Sequence, residues 1–267
     1  MKRLHIIIPV ALVLSGLLFG AQTLVQARLR DDTVPEIRFP DEPLEITVDA
    51  GSEAMLEGVT AWDEKDGDLT GRLIVQQLER SDEDGSLSVT YAVADGDRHV
   101  VTRTRTVIYT DYTPPRFALS KELCYTPGAA VKIRDRLTAE DVIDGSISDR
   151  IKITANGVLS YYEGSYPLTV EVTNSLGDTS RLELEIEIRS YTEGEPRIKL
   201  SSYLIYLGCD EKFDANSYIE GVTGAEGAKV TARLPAGGLK KGVNKVVYSC
   251  KGDSGTTGKT TLYVVVE

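Results

Sequence analysis

The residues best equipped for chemistry are carboxylates in a recurring spacing. Asp63, Glu64, Asp66 and Asp68 crowd one short stretch, Asp95 and Asp97 follow thirty residues later, and Asp141 and Asp144 repeat the first spacing further along the chain. If the two stretches form loops at one pole, five or six carboxylates meet there and repel one another unless a cation sits among them. A hard cation such as Ca²⁺, which takes six to eight oxygen ligands, suits that chemistry. The metal candidates are therefore Asp63, Asp66, Asp68, Asp95, Asp97, Asp141 and Asp144, with Asn174, Asp178 and Asp111 as further oxygen donors. The spacing is not that of an EF-hand. The other reading is structural: Asp-Gly makes a tight turn in which the aspartate accepts main-chain N–H groups and glycine takes positive φ.

Other chemistries find little support. His5 and His99 are the only histidines, His5 lies in an apolar leader and His99 stands alone in a strand pattern, so no nucleophile–base pair can be assembled. No pair of carboxylates is singled out as acid and base for glycoside hydrolysis. The glycine-rich run Ala236–Lys241 lacks the phosphate-loop order and reads as a hairpin turn. The expectation is a protein that is not an enzyme and carries no cofactor, calcium excepted. Cys124, Cys209 and Cys250 cannot all pair within one chain. Cys209 and Cys250, on an early and a late strand of the last segment, either bridge two sheets or are two small buried hydrophobes.

The elements that position these residues are strands. Apolar residues come in short alternating runs, the mark of half-buried β-structure. The chain also repeats. Thr33-Val34-Pro35-Glu36-Ile37 returns 80 residues on as Thr113-Pro114-Pro115-Arg116-Phe117, and Glu195-Pro196-Arg197-Ile198 is a weaker third start. Ala61 to Leu73 matches Ala139 to Ile151. Late in each repeat stands an alternating strand, at Val89–Val93, Leu168–Val172 and Val246–Cys250, and a further strand follows at 102–109, 182–188 and 260–266. About seven short strands per repeat is the count of a Greek-key sandwich. The expected architecture is all-β, tandem immunoglobulin-like sandwiches at 33–111, 112–190 and 194–267, the third divergent because it has lost the Asp-Gly motif. In that pattern Tyr91 and Tyr248 fall on core positions, while Trp62, Tyr161, Tyr162, Tyr203 and Tyr206 are candidates for sugar stacking.

Ahead of the repeats, Lys2 and Arg3 precede an uncharged run from Ile6 to Ala27, most apolar from Ile6 to Gly20. About 20 apolar residues cross a bilayer as a helix. Residues 1–27 are thus either a membrane anchor or a signal peptide cleaved after Val25-Gln26-Ala27. Arg28 and Arg30 on the far side balance the basic start, so charge does not choose an orientation. The formal charge of −11 becomes −13 without Lys2 and Arg3. Such a surface repels nucleic acid and anionic lipid, which excludes them as partners.

The opening T-x-P, the motif A-x-D-x-x-D-G-x-[LI]-[TS] and the closing V-T-Y-x-V-x-D together resemble a bacterial immunoglobulin-like family, that of modules named after a pesticidal crystal protein and related in form to hyalin repeats. Ala61, Asp63, Asp66, Gly67, Asp68, Leu69, Thr70, Val89, Thr90, Tyr91, Val93 and Asp95 carry the resemblance. The second repeat keeps Ala139, Asp141, Asp144 and Gly145 but has Val170 for the tyrosine and Asn174 for the closing aspartate. The resemblance implies spacer or adhesive modules of exported surface proteins. The function expected is a short membrane-tethered rod for surface display or adhesion, single-pass with its modules outside the cell. The alternatives are a secreted form and a module that binds glycan or peptidoglycan. The partner is a protein or glycan of the cell envelope.

Overall fold

A computed structural model describes residues 4–29, 33–80, 86–155, 158–225 and 227–267, with the side chains of 4–11, 26–29 and 155 left aside. Lys2, Arg3 and Arg30 lie outside the described residues, as do the side chains at the cleavage motif's Gln26 and Ala27. Helix α1 spans Leu4–Leu29. Of its described side chains, Leu12, Leu17, Leu18, Phe19 and Leu24 are among those exposed. Among the described residues no helix is long and apolar enough to cross a membrane.

The rest is tandem β-sandwich, gathered into two compact units, Met1–Asp111 and Tyr112–Glu267. In the first unit, β1 (Glu36–Arg38), β2 (Leu44–Ile46), β3 (Thr60–Asp63), β4 (Gly67–Asp68), β5 (Ile74–Arg80), β6 (Leu87–Ala94) and β7 (Val100–Tyr109) form two sheets, with a helical turn α2 at Ser52–Met55. One sheet has the order β1-β3-β4, the other β2-β7-β6-β5. The leading strand is split: β1 runs antiparallel to β3, and β2 then crosses over to run parallel to β7. Pro40 and Pro43 lie between them, where a residue without an N–H cannot extend a ladder. Alternation does the rest, since Val89, Tyr91 and Val93 of β6 are buried while Ser88 and Thr90 are not. Tyr91, wholly buried, donates its hydroxyl to the Met55 carbonyl at 2.7 Å, so its polar end is satisfied within the core.

The second unit repeats this plan twice. Strands β8 (Arg116–Leu119), β9 (Cys124–Tyr125), β10 (Leu137–Asp141), β11 (Gly145–Ser146), β12 (Lys152–Ala155), β13 (Gly164–Thr173) and β14 (Thr179–Ile188) give sheets β8-β10-β11 and β9-β14-β13-β12. Strands β15 (Arg197–Leu200), β16 (Leu204–Leu207), β17 (Ile219–Thr223), β18 (Thr231–Arg233), β19 (Gly242–Lys251) and β20 (Thr257–Val266) give β15-β17 and β16-β20-β19-β18. Again the lead strand splits, with β9 parallel to β14 and β16 parallel to β20.

The two sandwiches of this unit share one hydrophobic core, running from Phe117, Leu137 and Ile186 to Leu200, Tyr203, Tyr248 and Leu262. Main-chain and tyrosine hydrogen bonds stitch them: Tyr203 N donates to Leu119 O at 3.0 Å, Phe117 N to Tyr206 Oη at 2.9 Å, and Glu185 N to Tyr263 Oη at 3.0 Å. Charged pairs rim the joint, Lys245 with Glu185 and Arg116 with Glu267. Arg189 meets Glu195 at 2.5 Å and also donates to Lys259 O. Within the last sandwich the lead-in to β15 packs closely on β20. A Cβ at Gly258 would stand 1.8 Å from the carbonyl oxygen of Pro196, so only glycine fits there.

A shared core predicts shared stability. Leu262→Ala, a wholly buried position on β20, is expected to cost about 2–5 kcal/mol. Native-state hydrogen exchange should then lose protection at Val170 and Leu184 together with Val246 and Val264. Loss confined to the strands after Pro196 would mean that the two sandwiches unfold separately.

Candidate functional site

The acidic motif folds into a turn at one end of each of the first two sandwiches. Asp63, 1% exposed, closes strand β3, and its Oδ1 accepts main-chain N–H groups from Lys65 and Asp66, both at 2.9 Å. Asp141, 6% exposed, does the same with Ile143 and Asp144 at 2.9 and 3.0 Å. Each chain then passes through glycine in the left-handed region, φ 77° at Gly67 and 67° at Gly145, which the tight hairpin requires. The last motif position is also explained. Ala61 N donates to Thr70 Oγ1 at 3.2 Å and Ala139 N to Ser148 Oγ at 3.0 Å, while Leu69 and Ile147 are buried beneath.

The second aspartate of the motif reaches across to the turn between the last two strands. Asp66 accepts from Gly96 N, and Lys65 pairs with Asp97. Asp144 accepts from Ser175 N and Ser175 Oγ, both at 2.7 Å, and pairs with Arg150 at 2.5 Å. Hydrogen bonds from Ser175 hold the Asp144 carboxyl below the usual carboxylate range, against the upward push of burial and with help from Arg150. Asp68 accepts from Thr70 N at 2.9 Å. Asp95 lies in the same turn as Gly96, with Oδ1 accepting from His99 N at 2.7 Å and Oδ2 lying 2.6 Å from His99 Nδ1. Burial pushes the Asp95 carboxyl up, but the hydrogen bonds from His99 outweigh it and leave the group below its ordinary value.

In the second sandwich Asn174 stands where Asp95 stands in the first. It donates to Asp141 Oδ2 at 3.1 Å and to Tyr112 Oη at 2.9 Å, and Tyr112 in turn donates to Asp178 at 2.5 Å. Asp111 accepts from Val48 N at 2.8 Å. The predicted carboxylates are therefore brought to two loop pairs, but each faces N–H, O–H or cationic donors. Among the described residues no group of three or more His, Cys, Asp or Glu side chains is gathered to hold a metal ion. His99, read from the sequence as standing alone, has Asp95 as its partner; the i to i+4 spacing of Asp95 and His99 was the signal for it.

The cysteines do not form the bridge considered above. All three are free: Cys250 faces the core from β19, Cys124 is buried on β9, and Cys209 is exposed. Cys209 falls on the turn just beyond β16 rather than on a strand, so its side chain leaves the sheet that Cys250 packs beneath. Burial pushes both buried thiols up and keeps them protonated. Of the tyrosines left open by pattern, Tyr203 is buried and Tyr206 is half-buried at the joint, whereas Tyr161 and Tyr162 are 77% and 67% exposed and Trp62 is 54% exposed.

A cleft of about 470 Å³ lies along the joint of the second unit, lined by Glu163, Glu185, Glu187, Arg189, Lys245 and Tyr263 among others. Its glutamates outnumber its cations, and each named one is engaged: Glu187 lies 3.6 Å from Arg189. Glu185 is held below its ordinary value by Lys245 and Ser165, and Glu163 accepts from Ser190 N at 2.8 Å.

No protein-family model matches this chain, and no curated protein matches it. Similar solved structures include the CBM51-2 and INT domains of Clostridium perfringens ZmpB in complex with GlcNAc, at 16% identity and TM-score 0.24, covering 55% of this chain and 26% of that one. Mouse cadherin-23 EC22-24 is similar at 15% identity and TM-score 0.22, with 88% and 99% covered. The protocadherin gammaB4 extracellular domain is similar at 13% and 0.21, with 88% and 49% covered. This chain thus spans about a quarter of the first and half of the last. These are likenesses of β-sandwich modules in tandem, and no function follows from them.

The Asp144 clamp makes a pH prediction. A carboxyl whose folded value is depressed stabilises fully above its unfolded value, near about 4, and loses that contribution as pH falls through the folded value. Asp144→Asn is expected to cost on the order of 1–3 kcal/mol at pH 7 in urea unfolding, with the gap from the parent closing toward about pH 2. Equal stability of the two proteins at pH 7 would remove the clamp.

Proposed function

We propose that the chain is a non-enzymatic, extracytoplasmic structural and interaction protein of the bacterial envelope. Tandem immunoglobulin-like modules of the pesticidal-crystal-protein type are displayed outside the cell and tethered by the N-terminal helix. The observation that carries this reading is the use made of the acidic motif: its carboxylates hold turns and join loops, so the chemistry of the repeated residues is devoted to rigid modules. The uncharged run from Ile6 to Ala27 and the exposed apolar side chains of α1 support the tether. The partner is a protein or glycan of the envelope.

A glycan-binding reading is favoured by one feature, the adjacent exposed rings of Tyr161 and Tyr162 on the connection between β12 and β13. Aromatic faces open to water offer stacking surfaces to sugar rings.

Fractionation of the native protein tests the proposal. The intact chain is expected in the membrane by mass, with residues beyond 33 cleaved by protease added to whole cells. A chain beginning at Arg28 in the medium would replace the tether with secretion. A chain in the cytosol, protected from protease, would overturn the extracytoplasmic reading.

A further inference from the structure

A second cleft in the Tyr112–Glu267 unit, about 610 Å³, has a different character from the first, glutamate-rich one. It lies between β9 and β15 and is lined by Lys121, Arg136, Arg197 and Lys199 together with Tyr125, Tyr191 and Tyr203. In a chain of net charge −11 this concentration of cations stands apart. Glu122 is the only carboxylate in the lining, and it already accepts from Tyr191 Oη at 3.0 Å and Thr260 Oγ1 at 2.7 Å. Lys199 is paired with Glu220, and Arg136 caps the main-chain carbonyls of Glu122 and Cys124. Among the described residues no carboxylate pairs with Arg197 or Lys121. Arg197 instead lies 4.4 Å over the Tyr191 ring, stacked so that its N–H edge stays available.

The hydroxyl of Tyr125 provides an independent sign. Tyr125 is 5% exposed, lines the cleft, and its Oη is buried without a hydrogen-bond partner. Buried polar groups are nearly always paired, so an orphan of this kind calls for a ligand. What the cleft has to spare are donors: guanidinium, ammonium and phenol. Their complement is an oxyanion. Arg136 covers the open edge of β9, which closes the cleft to an added peptide strand. Beside the cleft, the turn at 126–130 supplies Thr126, Ala129 and Ala130 to its lining and carries Gly128 under the exposed Tyr161 ring, where a Cβ would sit 3.5 Å from the ring. A chain leaving the cleft therefore meets an open aromatic face.

We propose that this cleft binds an acidic saccharide, its carboxylate held by Arg197, Lys121 and Tyr125 and a neighbouring sugar stacked on Tyr161. The assignment names a ligand for the glycan-binding reading and rests on it. It is tested on purified protein, so its failure leaves cellular location untouched, and failure of the fractionation leaves the binding result standing.

The full-length chain, held in neutral detergent, is titrated calorimetrically with trigalacturonate, with the uncharged galactose trimer and with inorganic phosphate. Trigalacturonate is expected to bind saturably, and the galactose trimer at least about tenfold more weakly. Arg197→Gln, at an exposed position, should weaken the acidic trimer by about tenfold. Tyr125→Phe should weaken it several-fold while leaving the melting temperature equal or higher, since it removes an unpaired buried hydroxyl. Tyr161→Ala should weaken the trimer but not galacturonate monomer. Absence of saturable binding, equal binding of the neutral trimer, or indifference to Arg197→Gln and Tyr125→Phe would overturn the proposal. Phosphate binding as tightly as the acidic trimer would overturn its saccharide part.

Discussion

A buried carboxylate that has found main-chain donors is the constraint from which much of this molecule follows. Asp63 and Asp141 sit almost out of water, where an unpaired charge is very costly. Two N–H groups from the following turn meet each of them, and the geometry that presents those N–H groups is the Asp-Gly turn itself. Once that turn is set, the next aspartate points across to the neighbouring loop. There Gly96 N and Ser175 N receive it, so a local turn becomes a tie between loops distant in sequence. The leucine or isoleucine that follows is buried, and the hydroxyl after it returns to the strand that carried the first aspartate.

The last sandwich lacks this device and is held differently. Its strands share a core with the sandwich before it, and tyrosine hydroxyls at positions 206 and 263 reach main-chain N–H groups of the neighbour. Loss of the acidic motif and gain of a shared core thus occur in the same segment. Tyr263 shows the two roles at once: its ring is buried and its Oη both accepts from Glu185 N and donates to Glu185 O. Packing two sandwiches along one joint also creates clefts that neither would have alone.

Much of the fold was legible because strand periodicity is a local property. The alternating runs at Val89, Leu168 and Val246 fall on β6, β13 and β19, and Tyr91 and Tyr248 are buried as their positions in those runs require. The split lead strand was not legible, since β2, β9 and β16 are short and their parallel partners lie about sixty residues away. At the acidic motif, residue types and spacing showed that carboxylates would gather, but not what would face them. Main-chain N–H groups leave no trace in composition, and only coordinates place Ser175 N against Asp144. Of the two readings open for the cysteines, Cys250 is the small buried hydrophobe, while the bridge fails for a similar reason: Cys209 lies just past a strand end, and a shift of that size removes it from the sheet. Arg197 and Tyr125 carry no sequence signal, because the cleft exists only where two sandwiches meet.

The central claim, that the acidic motif is satisfied from within the protein, is tested most directly by melting the purified chain in calcium and in excess chelator at one ionic strength. Carboxylates already paired with N–H groups and cations gain nothing from an added ion, so the transitions should coincide. A transition raised by calcium, with the rise abolished by Asp63→Asn or Asp141→Asn, would contradict the account and return the motif to metal binding.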